Sequence, residues 1–363
     1  MRRFTLASAA GRWCLAAAAL ALCPRGAAAQ SDYSDKDFSV RLPPAFLRFT
    51  EVSTMGGETV ANRFSSASNP AAAGWFAPPG KLGIIAAPYY SAIGFDEGQW
   101  LHLTGESLTW FSKDWGTFQP TLSQIRSNNS TGSDGLSFDY EVDTAQFQWG
   151  KRFGDLGLGA TFNFARAKIG RDGTLTETLP GPVPMQVPVG VVTDSTAESY
   201  RWRLGGLYEP ADKWLVGMIF EYGFAPYRSR SVVTFPLPFI PPSTTYDEGV
   251  QHQFVLRPGV SYEYAPLSTV YFDYQYGAFF NPRDCLEDHR FSAGIEHRLL
   301  DFVLVRAGPS IDARGNVGLS AGVSLLLGPN VSVEFGYQYN MLPELRPEFG
   351  RAQTLQGILS FRF

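Results

Sequence analysis

Past its first thirty positions the 363-residue chain contains no run of about twenty apolar residues, the length a helix needs to cross a bilayer. A helical membrane protein is therefore excluded. There is no basic tail or cluster, and a formal net charge of −4 makes nucleic acid a poor partner. Cysteine is scarce, at three residues, and histidine is limited to four. Neither type clusters with the other, so no metal site and no cofactor site is expected. None of His102, His252, His289 and His297 opens a His-x-Ser pair, and Asp288-His289 lacks a nucleophile partner, so no enzyme is expected. Gly157-x-Gly159 lies in an alternating stretch rather than before a helix and is no nucleotide loop. Aromatic residues, in contrast, make up 14% of the chain and recur to its last position, which excludes a disordered chain.

What is present begins with a leader. Arg2, Arg3 and Arg12 form a positive segment, Cys14 to Leu22 a short apolar one, and Ala27-Ala28-Ala29 a small-residue cleavage site. Residues 1–29 thus read as a signal peptide, and a lipoprotein reading through Cys23 is weakened by Leu22 where a small residue is wanted. Removing the leader takes away four arginines, leaving 26 basic and 34 acidic residues, a net charge of −8. It also leaves Cys285 as the one cysteine, hence no disulfide framework within one chain.

An exported chain without a spanning helix is either soluble or an outer-membrane barrel, and alternation decides. Leu156, Leu158, Ala160, Phe162 and Phe164 alternate with Gly157, Gly159, Thr161 and Asn163. Val331, Val333, Phe335, Tyr337 and Tyr339 alternate with Ser332, Glu334, Gly336 and Gln338. Period two marks strands, and an alternate face of Gly, Ser, Gln and single charges with aromatics near strand ends is the pattern of lipid-facing barrel strands. The closing segment places Leu355, Leu359, Phe361 and Phe363 opposite Gln356, Ser360 and Arg362. The final Phe363 resembles the signal read by the outer-membrane barrel assembly machinery.

Fourteen strands follow, near 82–90, 99–111, 117–126, 136–151, 156–169, 196–208, 214–227, 249–263, 268–280, 288–299, 301–311, 315–327, 330–341 and the C-terminal segment. An even count suits a bacterial barrel. Weak alternation at 82–90 and 117–126 leaves twelve strands as the alternative. Connections on the Phe363 side are short, whereas 170–195 and 228–248 on the other side read as long outside loops. The expected class is all-β: a transmembrane antiparallel barrel over 81–363. Residues 30–80, broken by Pro43-Pro44 and rich in small side chains, read as an N-terminal plug, or hatch, inside it.

Asn69-Pro70-Ala71 before the first strand, the strand count, and the turn Leu207-Tyr208-Glu209-Pro210-Ala211-Asp212-Lys213-Trp214 together resemble the FadL-like family of outer-membrane transporters for long-chain fatty acids and other hydrophobic compounds. The chain departs from that family in its shorter length and in Ala72-Ala73-Gly74-Trp75 after the hatch motif. The resemblance implies passive inward transport, a hatch at Asn69, Pro70 and Ala71, a low-affinity site on the third and fourth outside loops, and a lateral gap at the third strand, where Pro120 would open the wall.

The residues support a site on those loops independently. Val183, Met185, Val187, Val189 and Val191 stand among prolines in one; Phe235, Leu237, Phe239 and Ile240 do so in the other. Clustered apolar side chains on an exposed loop mark a binding surface. Arg201, Arg203, Gln251, Gln253, Arg257, Glu263, Asp273, Arg290, Glu296, Arg298 and Glu334 fall on the lumen side. Their plain role is to brace the barrel and its plug, although Arg201 or Arg203 could take a ligand carboxylate. The expected partners are a hydrophobic small molecule and membrane lipid, for a monomer in the bacterial outer membrane. The rival readings are a water-filled porin for polar solutes and a non-transporting barrel that docks another exported protein.

Overall fold

The computed structural model describes Tyr33, Lys36, Phe38 and residues 40–43, 60–63, 68–75, 83–128, 136–179, 185–236, 241–328 and 330–363, with backbone alone at 136, 175–179, 185 and 186. The leader at 1–29, Val183, Leu237, Phe239 and Ile240 lie outside the described residues.

Fourteen antiparallel strands close into one barrel. They are β1 (Gly83–Phe95), β2 (Trp100–Ser112), β3 (Gly116–Ser127), β4 (Leu136–Phe153), β5 (Leu156–Leu179), β6 (Met185–Ala211) and β7 (Trp214–Thr234). The remainder are β8 (Ser243–Ala265), β9 (Ser268–Phe280), β10 (Cys285–Leu300), β11 (Val303–Asp312), β12 (Val317–Leu326), β13 (Val331–Tyr339) and β14 (Ala352–Arg362). The two stretches with weak alternation are both strands, which sets aside the twelve-stranded alternative. Closure runs through β1 and β14, paired from Ile85–Arg362 to Phe95–Ala352, and the Phe363 amide donates to the Ile84 carbonyl at 2.9 Å.

Each strand shows lipid one face and the lumen the other. Leu108, Leu122, Phe147, Leu204, Phe272 and Leu355 stand exposed on the outer wall, and Trp110, Trp115, Phe153 and Trp214 ring the end that carries the short turns. Histidine has a uniform role here. The hydroxyls of Tyr90, Tyr222, Tyr264 and Tyr274 each lie 2.7–3.3 Å from Nδ1 of His102, His252, His297 and His289 respectively. All four histidines thus sit in tyrosine pairs on the wall, at the polar–apolar boundary that such amphipathic rings favour.

Two expectations are corrected. Residues 170–195 and 228–248 are not open loops: β5, β6, β7 and β8 run 24, 27, 21 and 23 residues, and most of both segments continues the ladder. A tilted strand crosses a bilayer in about ten residues, so these four rise well beyond it as a wall on the outer side. The alternation is disguised there by Pro and Gly, yet β5–β6 pairing persists to Leu179–Met185. Cys285, which was expected to leave the chain without a disulfide, opens β10 and is disulfide-bonded.

The described N-terminal residues lie within the barrel. Asn69 is fully buried and holds this segment together: its Nδ2 donates to the Val60 carbonyl at 3.0 Å and to the Gly206 carbonyl at 3.1 Å, while its Oδ1 caps the Ala71 amide at 3.0 Å. A 3-10 turn over Pro70–Trp75 follows. The wall makes room for it by omitting side chains. A Cβ on Gly159 would collide with the Pro70 backbone, one on Gly205 with the Asn69 side chain, and one on Gly157 with the Trp75 ring. At the opposite end, Tyr33 donates to Asp312 at 3.0 Å, and the Arg41 guanidinium pairs with Glu348 in the segment between β13 and β14. The Val60 amide is held by both oxygens of Asp273 at 3.2 Å.

Two substitutions test this arrangement. Gly159→Leu should displace residues 60–75 while leaving the barrel closed. Asn69→Ala removes three bonds from a buried turn, each orphaned partner costing about 1–3 kcal/mol. Both variants should keep the heat-modifiable mobility of a folded barrel in gels and gain a protease-sensitive site within 60–75 that the unsubstituted protein does not show.

Candidate functional site

The lumen is divided by chemistry. Toward the periplasmic end it is polar. The Arg306 guanidinium donates to Glu296 at 2.6 Å and to Glu334 at 3.0 Å. Higher, Glu221 receives Arg203 Nε at 2.8 Å and Gln253 Nε2 at 2.8 Å, with Arg201 Nη1 at 3.6 Å. Arg257 donates to Gln275, which donates to Asp288 at 2.9 Å. Buried charge is tolerable only with partners, and these groups have them across neighbouring strands.

Above the Glu221 network the inner wall becomes apolar. Ile93, Leu101, Leu103, Ile125, Phe138 and Tyr140 from β1–β4 form one buried cluster with Leu342, Leu345 and Phe349, which fold inward from the segment between β13 and β14. Phe38 and Leu42 of the N-terminal segment pack on the same cluster. Next to it lies a cavity of about 60 Å³ whose walls include Ala165, Ala167, Ala197, Ala225, Leu42 and Tyr140. Four alanines facing inward on β5, β6 and β7 create this space, since any larger side chain would fill it. Gln253, a member of the Glu221 network, also lines the cavity. The result is an apolar chamber standing over a polar floor.

The sequence-derived candidates separate into two places. Arg201 and Arg203 are buried at the chamber's floor, held by Glu221. Val187 and Val189 face inward and are buried, at 5% and 0% exposure, in the raised part of β6. Phe235 follows the last β6–β7 pair, Gly190–Thr234, which brings it to the level of Val189. Met185 opens β6. The apolar rim and the arginine pair are therefore distinct, separated by a dozen residues of one strand. Pro120 lies within β3, which continues unbroken on both sides of it. Its pairing with Phe147 of β4 is present, while toward β2 the ladder lapses between Ser107–Thr121 and Trp110–Phe118. The chamber alanines were missed by sequence reasoning. The available signal was a run of small residues on the inner face, Ala165, Ala167, Ala197 and Ala225, on two neighbouring inward rungs.

No protein-family model matches the chain, and no curated protein matches it. Solved structures do. The Ralstonia pickettii toluene transporter TbuX is 14% identical, over 85% of this chain and 96% of that one, with a TM-score of 0.57. The CymD monoaromatic hydrocarbon channel is 15% identical, over 85% and 95%, with a TM-score of 0.60. A Pseudomonas aeruginosa FadL homologue is 12% identical, over 85% and 95%, with a TM-score of 0.54. At such identities the likeness is one of fold. This chain therefore has the fourteen-stranded barrel fold of these channels, and its lipid-facing wall places it in the bacterial outer membrane.

Proposed function

We propose that the protein is a diffusive channel for uncharged hydrophobic compounds, plugged by residues 30–80, and not an enzyme. The observation that carries this reading is the apolar chamber in the outer half of the lumen, bounded by Leu42, Tyr140 and the inward alanines of β5–β7, beside the cluster that Leu342, Leu345 and Phe349 complete. A porin for polar solutes has no use for such a chamber or for N-terminal residues wedged against lumen glycines. A docking barrel would present its apolar residues outward, whereas Val187 and Val189 face inward.

The rim at Val187, Val189 and Phe235 captures the ligand, the chamber admits it by widening beyond its resting volume of about 60 Å³ as Leu42 shifts, and movement of the Asn69–Trp75 region releases it. Lateral exit at Pro120 fits the lapse in the β2–β3 ladder, since proline offers no donor there. Arg201 and Arg203 are poor carboxylate receptors, because an acid would have to compete with Glu221 for both. Neutral aromatic or terpenoid molecules suit the site better than fatty acids. The neighbours described as a toluene transporter and a monoaromatic hydrocarbon channel support that choice. Phe363, 79% exposed at the end of β14, serves as the assembly signal, and a barrel without open edges works as a monomer.

The test is uptake of radiolabelled naphthalene by intact Gram-negative cells producing the protein, against cells without it. Production should raise uptake several-fold. Ala167→Trp, which fills the chamber, should return uptake to the background at equal barrel abundance; unchanged uptake would remove the chamber from the path. Pro120→Thr restores the absent donor and should slow uptake at least threefold, and an unaltered rate would rule out exit at that point.

A further inference from the structure

We infer a second opening in the wall, between β6 and β7 at Glu198–Ser199 and Ala225–Pro226, through which ligand reaches the chamber from the outer membrane–water boundary. This rests on the uptake reading above and specifies the route. The β6–β7 ladder is continuous through the membrane-level stretch except here: pairing holds at Ala197–Tyr227 and at Tyr200–Phe224, and lapses at the two positions between. Pro226 is the cause, because it lacks the N–H that would reach β6. The neighbouring ladders do not lapse, since β5–β6 runs through Glu198 and Ser199 and β7–β8 runs through Pro226–Val250.

A lapse beside a proline is not by itself an opening. Similar lapses accompany Pro258 in the β8–β9 ladder and Pro309 in the β10–β11 ladder. There the lumen side is occupied: Arg257 reaches across to Gln275 at 2.5 Å beside Pro258, and Met341 lies against Ser310 beside Pro309. At Pro226 the lumen side is the chamber itself, lined by Ala197, Ser199 and Ala225. Outside the wall, a cavity of about 640 Å³ abuts the same place, with Glu198, Pro226 and again Ala197 among its walls. Two spaces thus meet across this two-residue lapse, where the inward side chains are small and the backbone bond is missing.

The seam is fastened above and below. Thr193 and Ser231 hydroxyls meet at 2.9 Å, and Ser195 donates to Ser229 at 2.7 Å, toward the outer rim. Toward the periplasm Arg203 is bound to Glu221 at 2.8 Å. The unfastened stretch between is a window of defined height. Its outer mouth carries Arg166, Glu198, Arg228 and Glu248 just above the aromatic rings of Tyr200, Tyr222 and Phe224. Charges over rings mark the boundary between headgroups and acyl chains, where small apolar molecules accumulate. Apolar compounds dissolved at that boundary therefore have a short lateral path into the chamber, separate from the rim above.

The experiment closes the window reversibly in the full-length protein. In a Cys285→Ser background, Ser199→Cys with Ala225→Cys places two thiols opposite each other across the lapse. Thr193→Cys with Ser231→Cys does the same at a fastened pair higher on the same seam. Oxidation should lower naphthalene uptake at least fivefold in the first variant, with recovery on adding dithiothreitol, and should leave the second unchanged. Pro226→Thr, which supplies the missing donor, should lower uptake at least threefold without any cross-link. Undiminished uptake in the oxidised first variant or in Pro226→Thr, with uptake above background, overturns the window and leaves the channel reading standing. Uptake at background in the unsubstituted protein overturns both.

Discussion

Hydrocarbon offers no partner to a backbone amide or carbonyl, and the whole architecture follows from that constraint. Every strand must find its bonds in a neighbour, so the sheet has to close, and closure falls to β1 and β14. The C-terminal strand is thereby fixed between β13 and β1, and the Phe363 amide completes the ladder on Ile84. Prolines are admitted at a cost of one bond each. The ladder lapses beside Pro120, Pro226, Pro258 and Pro309 alike, and what sets Pro226 apart is the chamber behind it.

A closed barrel of this size encloses a lumen that water would flood unless it is filled. Three devices fill it. Inward glycines on β4–β7 admit the backbone of the N-terminal segment, and Asn69 ties that backbone to the wall. Arg–Glu pairs span adjacent strands in the lower and middle lumen. The residues between β13 and β14 fold inward to add Leu342, Leu345 and Phe349 above. What is left over is the alanine-lined chamber, and its position between a polar floor and an apolar roof suits it to uncharged molecules.

The long strands β5–β8 place the apolar rim well above the membrane on a paired, and hence stiff, support. The chamber lies lower on the same four strands, at the height where the outer wall changes from aromatic to charged. Rim, window and chamber are thus stacked along one side of the barrel, and the remaining strands are shorter than these four.

Strand number and facing were legible in the amino-acid order, because alternation is imposed residue by residue by lipid on one face and lumen on the other. Leu156 to Asn163 and Val331 to Tyr339 show this directly, as does the placing of Arg203, Glu296 and Glu334 in the lumen. The upper parts of β5–β8 were hidden because no lipid enforces alternation above the membrane, so Pro and Gly made 170–195 and 228–248 look like loops. Tertiary structure alone decided which partners the lumen groups take, Glu221 for both arginines and Asp273 for the Val60 amide, since these join residues as far as 213 positions apart. It alone decided that Ala165, Ala167, Ala197 and Ala225 fall on two neighbouring inward rungs. Local order determines which face a side chain takes; only the register between strands determines what stands beside it.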